Sequence, residues 1–184
     1  SKYACAVIGT TWDYWNRQDE FLQTLERIGN ACPLLNPYAL VRWNIHKGYL
    51  RALEGKDVNL IPTQWIDRLT PENLAAAFDT LGTERVVVKR QVGAGADGQS
   101  LLSRRDPFPE APHPVMVQPF MSCVQQNGEF SFIFIDGVFC HAVVKRPKSG
   151  DYRIQACYGA SQQKHIPDAA AMAAAEAVMK ALAS

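Results

Sequence analysis

The sequence predicts a mixed α+β (α/β) fold, on three observations. Thr70-Pro71-Glu72 pairs a hydroxyl cap with proline at the first helical position, and the apolar pattern that follows stops at Gly82. Residues 85–89 (RVVVK) form a β-branched run directly after that helix. Two alternating runs, 129–135 and 138–145, flank Asp136-Gly137, the kind of two-residue link that closes a β-hairpin with a type I′ turn. The chain has 184 residues, enough to bury a core. Its net charge of +1, with 47% hydrophobic and 20% charged residues, excludes a disordered or coiled-coil chain. The near-zero charge also argues against a nucleic-acid or membrane-surface binder, which carries a large basic excess.

No apolar run approaches the roughly 20 residues needed to cross a bilayer. No secretory leader is expected either, because Trp12, Asp13, Trp15, Asn16 and Arg17 interrupt the first apolar stretch. Cys5, Cys32, Cys123, Cys140 and Cys157 are scattered, with no Cys-x-x-Cys pair. They read as reduced thiols, mostly small core residues, in a cytoplasmic protein.

In chain order, residues 4–9 (ACAVIG) suit a buried strand. Phe21, Leu22, Leu25 and Ile28 place a helix over 18–28, and Pro33 and Pro37 make 32–38 a connector. Leu40, Trp43, Lys47, Leu50 and Leu53 fall on one side of a single helix, with Lys47 at the edge of its apolar stripe. Strands are expected at 63–66 and 115–120. Four prolines keep 104–114 irregular. In the hairpin, 135 should oppose 138, 133 oppose 140, 131 oppose 142, and 129 oppose 144. That register puts Phe130, Phe132, Phe134, Phe139 and Val143 on a core face, with His141 as a satisfied core residue. Glu129, Ser131, Ala142 and Arg146 share the other face, which suits a ligand, although a solvent-facing surface has the same composition. An Ala-rich helix begun by Pro167 covers 167–182.

Gly93-Ala-Gly95-Ala-Asp-Gly98 matches G-x-G-x-x-G, but a proline-rich stretch follows where a dinucleotide fold needs a helix. No Gly-Lys-Ser/Thr follows, so it is not a P-loop. What remains is a strand–loop–strand glycine flap, whose backbone N–H groups can close over phosphates; a plain hairpin loop is the alternative. Lys89 ends the strand before the flap, and Lys47 lies upstream, so the two ammonium groups suit a polyphosphate clamp. Lys145, Arg146, Lys148 and Arg153 are a convergent anion site or a solvated charge run. The histidines show no ligand spacing.

The order of these motifs is distinctive: Asn44-Ile-His-Lys47, Thr63-Gln-Trp-Ile, Val86-Val-Val-Lys89, the glycine flap, Met116-Val-Gln-Pro-Phe-Met121, Gly128-Glu-Phe-Ser131, and Val144-Lys-Arg-Pro-Lys-Ser-Gly-Asp-Tyr-Arg153. It resembles the ATP-grasp ligases, within them the prokaryotic glutathione-synthetase-like and cycloserine-biosynthesis branch. Thr11-Trp-Asp-Tyr-Trp15 and Leu34-Leu-Asn-Pro37 resemble that branch too. The resemblance implies an ATP-grasp fold of mixed and antiparallel sheets with helices: a partial pre-ATP-grasp α/β lobe over 1–38, then the nucleotide-binding region over 39–184. Within that region the glycine-flap subdomain would span 84–120 and an incomplete C-terminal lobe 128–184.

By the same resemblance, Lys47 and Lys89 would contact ATP phosphates under a flap of Gly93, Ala94, Gly95 and Gly98. Gln118, Pro119, Phe120 and Met121 would read the adenine edge through their backbone. Glu129 would lie near the ribose, and Arg146 and Arg153 would face the acyl-phosphate as catalytic groups. The implied activity is ATP-dependent ligation of a small-molecule carboxylate to an amine or thiol, with ATP and Mg²⁺ and a possible homodimer, without nucleic acid or membrane. The family's magnesium ligands come from a closing Glu-x-Glu or Glu-x-Asn strand, which is not found before Ser184. The chain is therefore expected to be truncated at both ends and to supply no metal ligand. The alternative function is a non-catalytic nucleotide-binding module.

Overall fold

The computed structural model describes residues 2–9, 11 and 13–183. Near the start, β1 (Ala6–Val7) pairs in parallel with β2 (Leu34–Leu35), across α1 (Gln18–Ala31). Residues 4–9 were expected to be a buried strand. The strand is instead two residues long, and Val7 is 71% exposed, so an apolar run alone does not place a segment inside.

The single helix expected over 40–53 is two. α2 (Tyr38–Asn44) ends before a 3₁₀ segment, Lys47–Leu53. His46 separates them in extended conformation, its Nδ1 accepting the Gly48 N–H at 2.9 Å. A side chain that bonds its own backbone offers an alternative to the helical ladder, and here it wins.

The main sheet has four antiparallel strands in the order β3 (Gln64–Ile66), β6 (Val115–Pro119), β4 (Arg85–Arg90), β5 (Ser100–Ser103). α3 (Pro71–Leu81) covers one face. It begins in a full capping box between Thr70 and Asn73 and ends at Gly82 in the left-handed region, as the sequence predicts. Strand alternation sends Val86, Val88, Val115, Val117 and Leu102 toward Leu74, Ala77 and Phe78 of α3, forming the core. The opposite face carries Val87, Lys89 and Gln118, and it floors the site. Val86–Val88 are buried on both faces of the sheet, which is why three consecutive valines suit them. Residues 104–114 hold no helix or strand.

The third sheet runs β7 (Glu129–Ile135), β8 (Val138–Arg146), β9 (Ser161–His165), all antiparallel. Its hairpin turns at Asp136-Gly137, and 135 opposes 138 as expected. A register shift between Ile133 and Phe134 then puts 133 opposite 141, 131 opposite 143 and 129 opposite 145. The extra residue is Cys140, and every assignment beyond it changes face. Val143 and His141 leave the phenylalanine face, and His141 is exposed rather than packed in a core. Ala142 and Val144 join Phe130, Phe132 and Phe134, and these two are the buried pair. Arg146 moves to the face opposite Glu129.

α4 (Ser122–Asn127) links the two larger sheets, and α5 (Ala169–Ala183) closes the described chain. α5 starts two residues later than expected, with Asp168 accepting the Ala171 N–H at 2.7 Å. All five cysteines are free, as expected, but none is buried and four are exposed, so they are not core residues.

Candidate functional site

A cleft of about 320 Å³ lies between the four-stranded sheet, the glycine loop and the segment around 152–155. Lys89 and Gln118 form its floor. They are diagonal neighbours across β4 and β6, since Gln118 pairs with Val87. Lys89 Nζ donates to Gln118 Oε1 at 3.0 Å, Gln118 Nε2 donates to Thr63 Oγ1 at 2.9 Å, and Thr63 Oγ1 donates to the Ile61 carbonyl at 2.8 Å. The hydroxyl's proton is engaged by Ile61, so the amide must present its N–H₂ to Thr63 and its oxygen to Lys89. Gln118 is 5% exposed, and this chain satisfies its buried amide. Burial lowers the Lys89 pKa, with Glu129 acting in the opposite direction.

Lys47 reaches the cleft from the break between α2 and the 3₁₀ segment. Its N–H donates to the Gln91 carbonyl at 2.8 Å, and its Nζ donates to the Gly93 carbonyl at 2.7 Å. The break that the sequence pattern misses is thus what turns Lys47 toward the glycine loop. Burial first, then the charges of Lys89 and Arg90, lowers its pKa to about 8. Among the described residues neither lysine has a carboxylate partner at ion-pair distance; both bond neutral oxygens. Two cations held this way favour an arriving polyanion.

The loop at 91–99 joins β4 and β5 as a strand–loop–strand unit. Gly95, Ala96 and Gly98 all have positive φ. Gly93, Ala94 and Gly95 line the cleft and Gly98 does not. A Cβ at Gly98 would stand 2.9 Å from Arg90 Cδ, so this glycine serves the fit of the loop onto the arginine stem.

Pro119, Phe120, Met121, Glu129 and Arg153 also line the cleft. Phe120 N–H is occupied by the Arg85 carbonyl at 2.9 Å, and the Met121 carbonyl accepts Val124 N–H at 3.1 Å as α4 begins. Arg153 is clasped by Asp151 through Nη2 at 2.8 Å and Nε at 3.0 Å, and its guanidinium stacks 3.7 Å from the Tyr158 ring centroid. The Arg153 hydrogen bonds hold the Asp151 carboxyl well below the usual carboxylate range. Arg146 is outside the cleft lining, with Nη1 3.4 Å from Gln163 Oε1 on β9. Lining residues that sequence reasoning missed include Arg90, Asp97, Gln99, Tyr152 and Gln155. Arg90 directly follows Lys89, and Tyr152 stands beside Arg153. Asp97 lies inside the glycine motif and Tyr152 inside the 144–153 motif, so both stand within the singled-out segments without a role of their own.

Among the described residues no group of three or more His, Cys, Asp or Glu side chains is arranged to hold a metal ion. The cleft carboxylates are Asp97, paired with Arg90 at 2.7 Å, and Glu129, 3.7 Å from Lys145. These residues do not fit a protein-held Mg²⁺, whereas the lysines and glycine loop fit a polyphosphate.

Residues 1–36 match the family model described as D-cycloserine synthetase DcsG, N-terminal domain. The cycloserine biosynthesis protein DcsG of Streptomyces lavendulae is 31% identical over 158 residues, covering 79% of this chain and 52% of that protein. The crystal structure of D-cycloserine synthetase DcsG aligns with TM-score 0.79 at 24% identity, over 98% of this chain and 65% of that one. A glutathione synthetase of Prochlorococcus marinus (strain MIT 9313) is 32% identical over 147 residues, 75% of this chain and 44% of that protein. The structure of the ATP-grasp ligase PsnB complexed with a minimal precursor aligns with TM-score 0.61 at 17% identity, over 98% of this chain and 61% of that one. The chain has the ATP-grasp fold. Its sequence relatives lie in the cycloserine- and glutathione-synthetase-like branch, as the motif order implies. This ATP-grasp chain spans about half the length of those two relatives. No described helix is long and apolar enough to cross a membrane.

Proposed function

We propose that this chain forms the ATP-binding part of a carboxylate–amine or carboxylate–thiol ligase. The observation that carries the reading is the pair of cleft lysines, Lys47 and Lys89, beneath the glycine loop. Their partners are neutral, and ATP phosphates would bring the missing negative charge. Lys89, aimed by Gln118, and Lys47 would hold the phosphates, with Gly93, Ala94 and Gly95 above them. Pro119, Phe120 and Met121 would border the base, and Glu129 the ribose. The substrate carboxylate would attack the γ-phosphorus, releasing ADP and leaving an acyl phosphate. An amine or thiol would then attack the acyl carbon and release phosphate. Arg153, already oriented by Asp151 and Tyr158, would meet the negative charge on the transferring group. Arg146 has no part in this reading, because it reaches Gln163 instead.

Calorimetric titration tests the first part. ATP is expected to bind more tightly than NAD, and the reverse order would overturn the reading. A second reading, a nucleotide-binding module without turnover, is favoured by the lack of a metal-holding carboxylate group among the described residues. ADP release from ATP in the presence of a carboxylate and an amine separates the two.

The Lys47 pKa of about 8 sets a pH dependence. Phosphate binding needs the ammonium form and raises its pKa. Above pH 8 binding must therefore take up a proton, and ATP affinity falls by up to about tenfold per pH unit. Lys47→Arg keeps the charge and should flatten the profile near pH 8. A flat wild-type profile between pH 6.5 and 9 would remove Lys47 from the phosphate contacts.

A further inference from the structure

Arg90 sits under the glycine loop, its side chain only 13% exposed. Gly93 and Gly98 pack on its stem; a Cβ at either would lie 3.3 Å from Arg90 Cβ or 2.9 Å from Arg90 Cδ, respectively. Nη1 is paired at 2.7 Å with Asp97, a residue of the loop itself, whose side chain is 49% exposed. Nε is buried with no partner. The loop is thus wound around this one side chain and tied to it at one point.

The two ends of the loop are held separately: Gln91 N–H donates to the Pro114 carbonyl at 3.0 Å and Gln91 Nε2 to the Val115 carbonyl at 2.8 Å, and the Gln99 side chain hydrogen-bonds Tyr152. Asp97 N–H donates to the Ala94 carbonyl and Gln99 N–H to the Ala96 carbonyl, at 3.1 and 3.2 Å, which are bonds within the loop. Lys47 bonds the Gly93 carbonyl, but that ammonium is one the phosphates would draw away. The Arg90–Asp97 pair ties the middle of the loop to β4, and a ligand in the cleft does not need to break it.

We propose that Arg90 and Asp97 are positioning residues for polyphosphate binding: the pair anchors the glycine loop so that its backbone stays aimed at the phosphates. This rests on the ATP reading of the cleft. It runs against simple charge counting. Asp97 places a carboxylate beside the phosphate end, so charge repulsion alone would make its removal tighten ATP binding. Anchoring makes its removal loosen ATP binding, through a larger ordering cost for the loop.

The test uses Asp97→Asn and Asp97→Glu in the full chain, with ATP and adenosine as probes. Expected for Asp97→Asn are ATP dissociation about tenfold faster, unchanged adenosine affinity, and faster hydrogen exchange of the 93–99 amides in nucleotide-free protein. Asp97→Glu should recover part of the ATP effect, which a merely structural lesion would not allow. Unchanged or tighter ATP binding in Asp97→Asn would overturn the proposal, as would equal losses for ATP and adenosine. If the wild-type chain bound no ATP, the ATP reading would fail and the phosphate role with it. The exchange rates of the nucleotide-free loop would then still report whether the pair anchors it.

Discussion

Lys89→Met is expected to weaken ATP binding by about tenfold or more, roughly 1.4 kcal/mol or above. Methionine keeps the length of the buried stem and removes the charge, so packing of β4 is preserved and the loss reads on phosphate contact. The effect should be larger than for an exposed lysine. The Lys89 ammonium is already desolvated and aligned by the Gln118 amide, so little further ordering is needed when an anion arrives. Two companion variants sharpen the reading. Gln118→Leu frees the ammonium and should cost affinity while leaving the charge in place. Gln118→Glu pairs the ammonium with a carboxylate and should cost more, since the phosphates then compete with an internal anion. Titration calorimetry on the three variants gives the order. Wild-type affinity in Lys89→Met would leave the lysine as no more than a partner for Gln118.

Gly128→Ala is expected to destabilise the protein by about 3 kcal/mol. Gly128 has φ +88° and ψ 175°, a region that essentially only glycine occupies. A Cβ there would also lie 2.7 Å from Val144 Cγ2 and 2.8 Å from the Lys145 carbonyl oxygen. The first contact is with a buried side chain and the second with backbone, so neither can swing aside. Strain of roughly 1–3 kcal/mol and crowding of roughly 1–3 kcal/mol act together. For a chain of this size the unfolding midpoint should fall by about 6–12 °C. Gly137→Ala is the control. Its φ is +75° but no atom lies within 4 Å of the added carbon, so it reports backbone strain without a clash. Equal midpoint losses for the two variants would show that the contact with β8 contributes nothing.

Local chemistry made some elements legible in the sequence. The α3 start and stop follow from Thr70, Pro71 and Gly82, each acting within one turn of the chain. The Asp136-Gly137 turn follows from its own dihedral needs, and the strand–loop–strand flap from three glycines after a β-branched run. Features that depend on tertiary partners were not legible. The helix expected over 40–53 breaks because His46 caps Gly48 while Lys47 docks on the Gln91 carbonyl, two events no periodicity reports. Gln118 falls in the strand expected over 115–120, and the resemblance gives it a backbone role; its side chain aims Lys89 only because β3, β6 and β4 are neighbours. The Asp151 clasp on Arg153 has a visible signal, a carboxylate two residues before a guanidinium. The charge-run reading gave attention to the cations and none to the acid between them.

The single unpaired residue at Cys140 makes the hairpin behave like a reading frame. Residues before it and after it obey opposite rules for odd and even positions, so deleting that one residue would restore strict parity and leave Lys145 opposite Glu129, whereas pairing Cys140 into the ladder would bring Val144 opposite Glu129 and Arg146 to that side. When residues 141–146 are compared with those of another ATP-grasp chain, equivalence follows the strand partner across the ladder, and counting from the turn misassigns each of them by one.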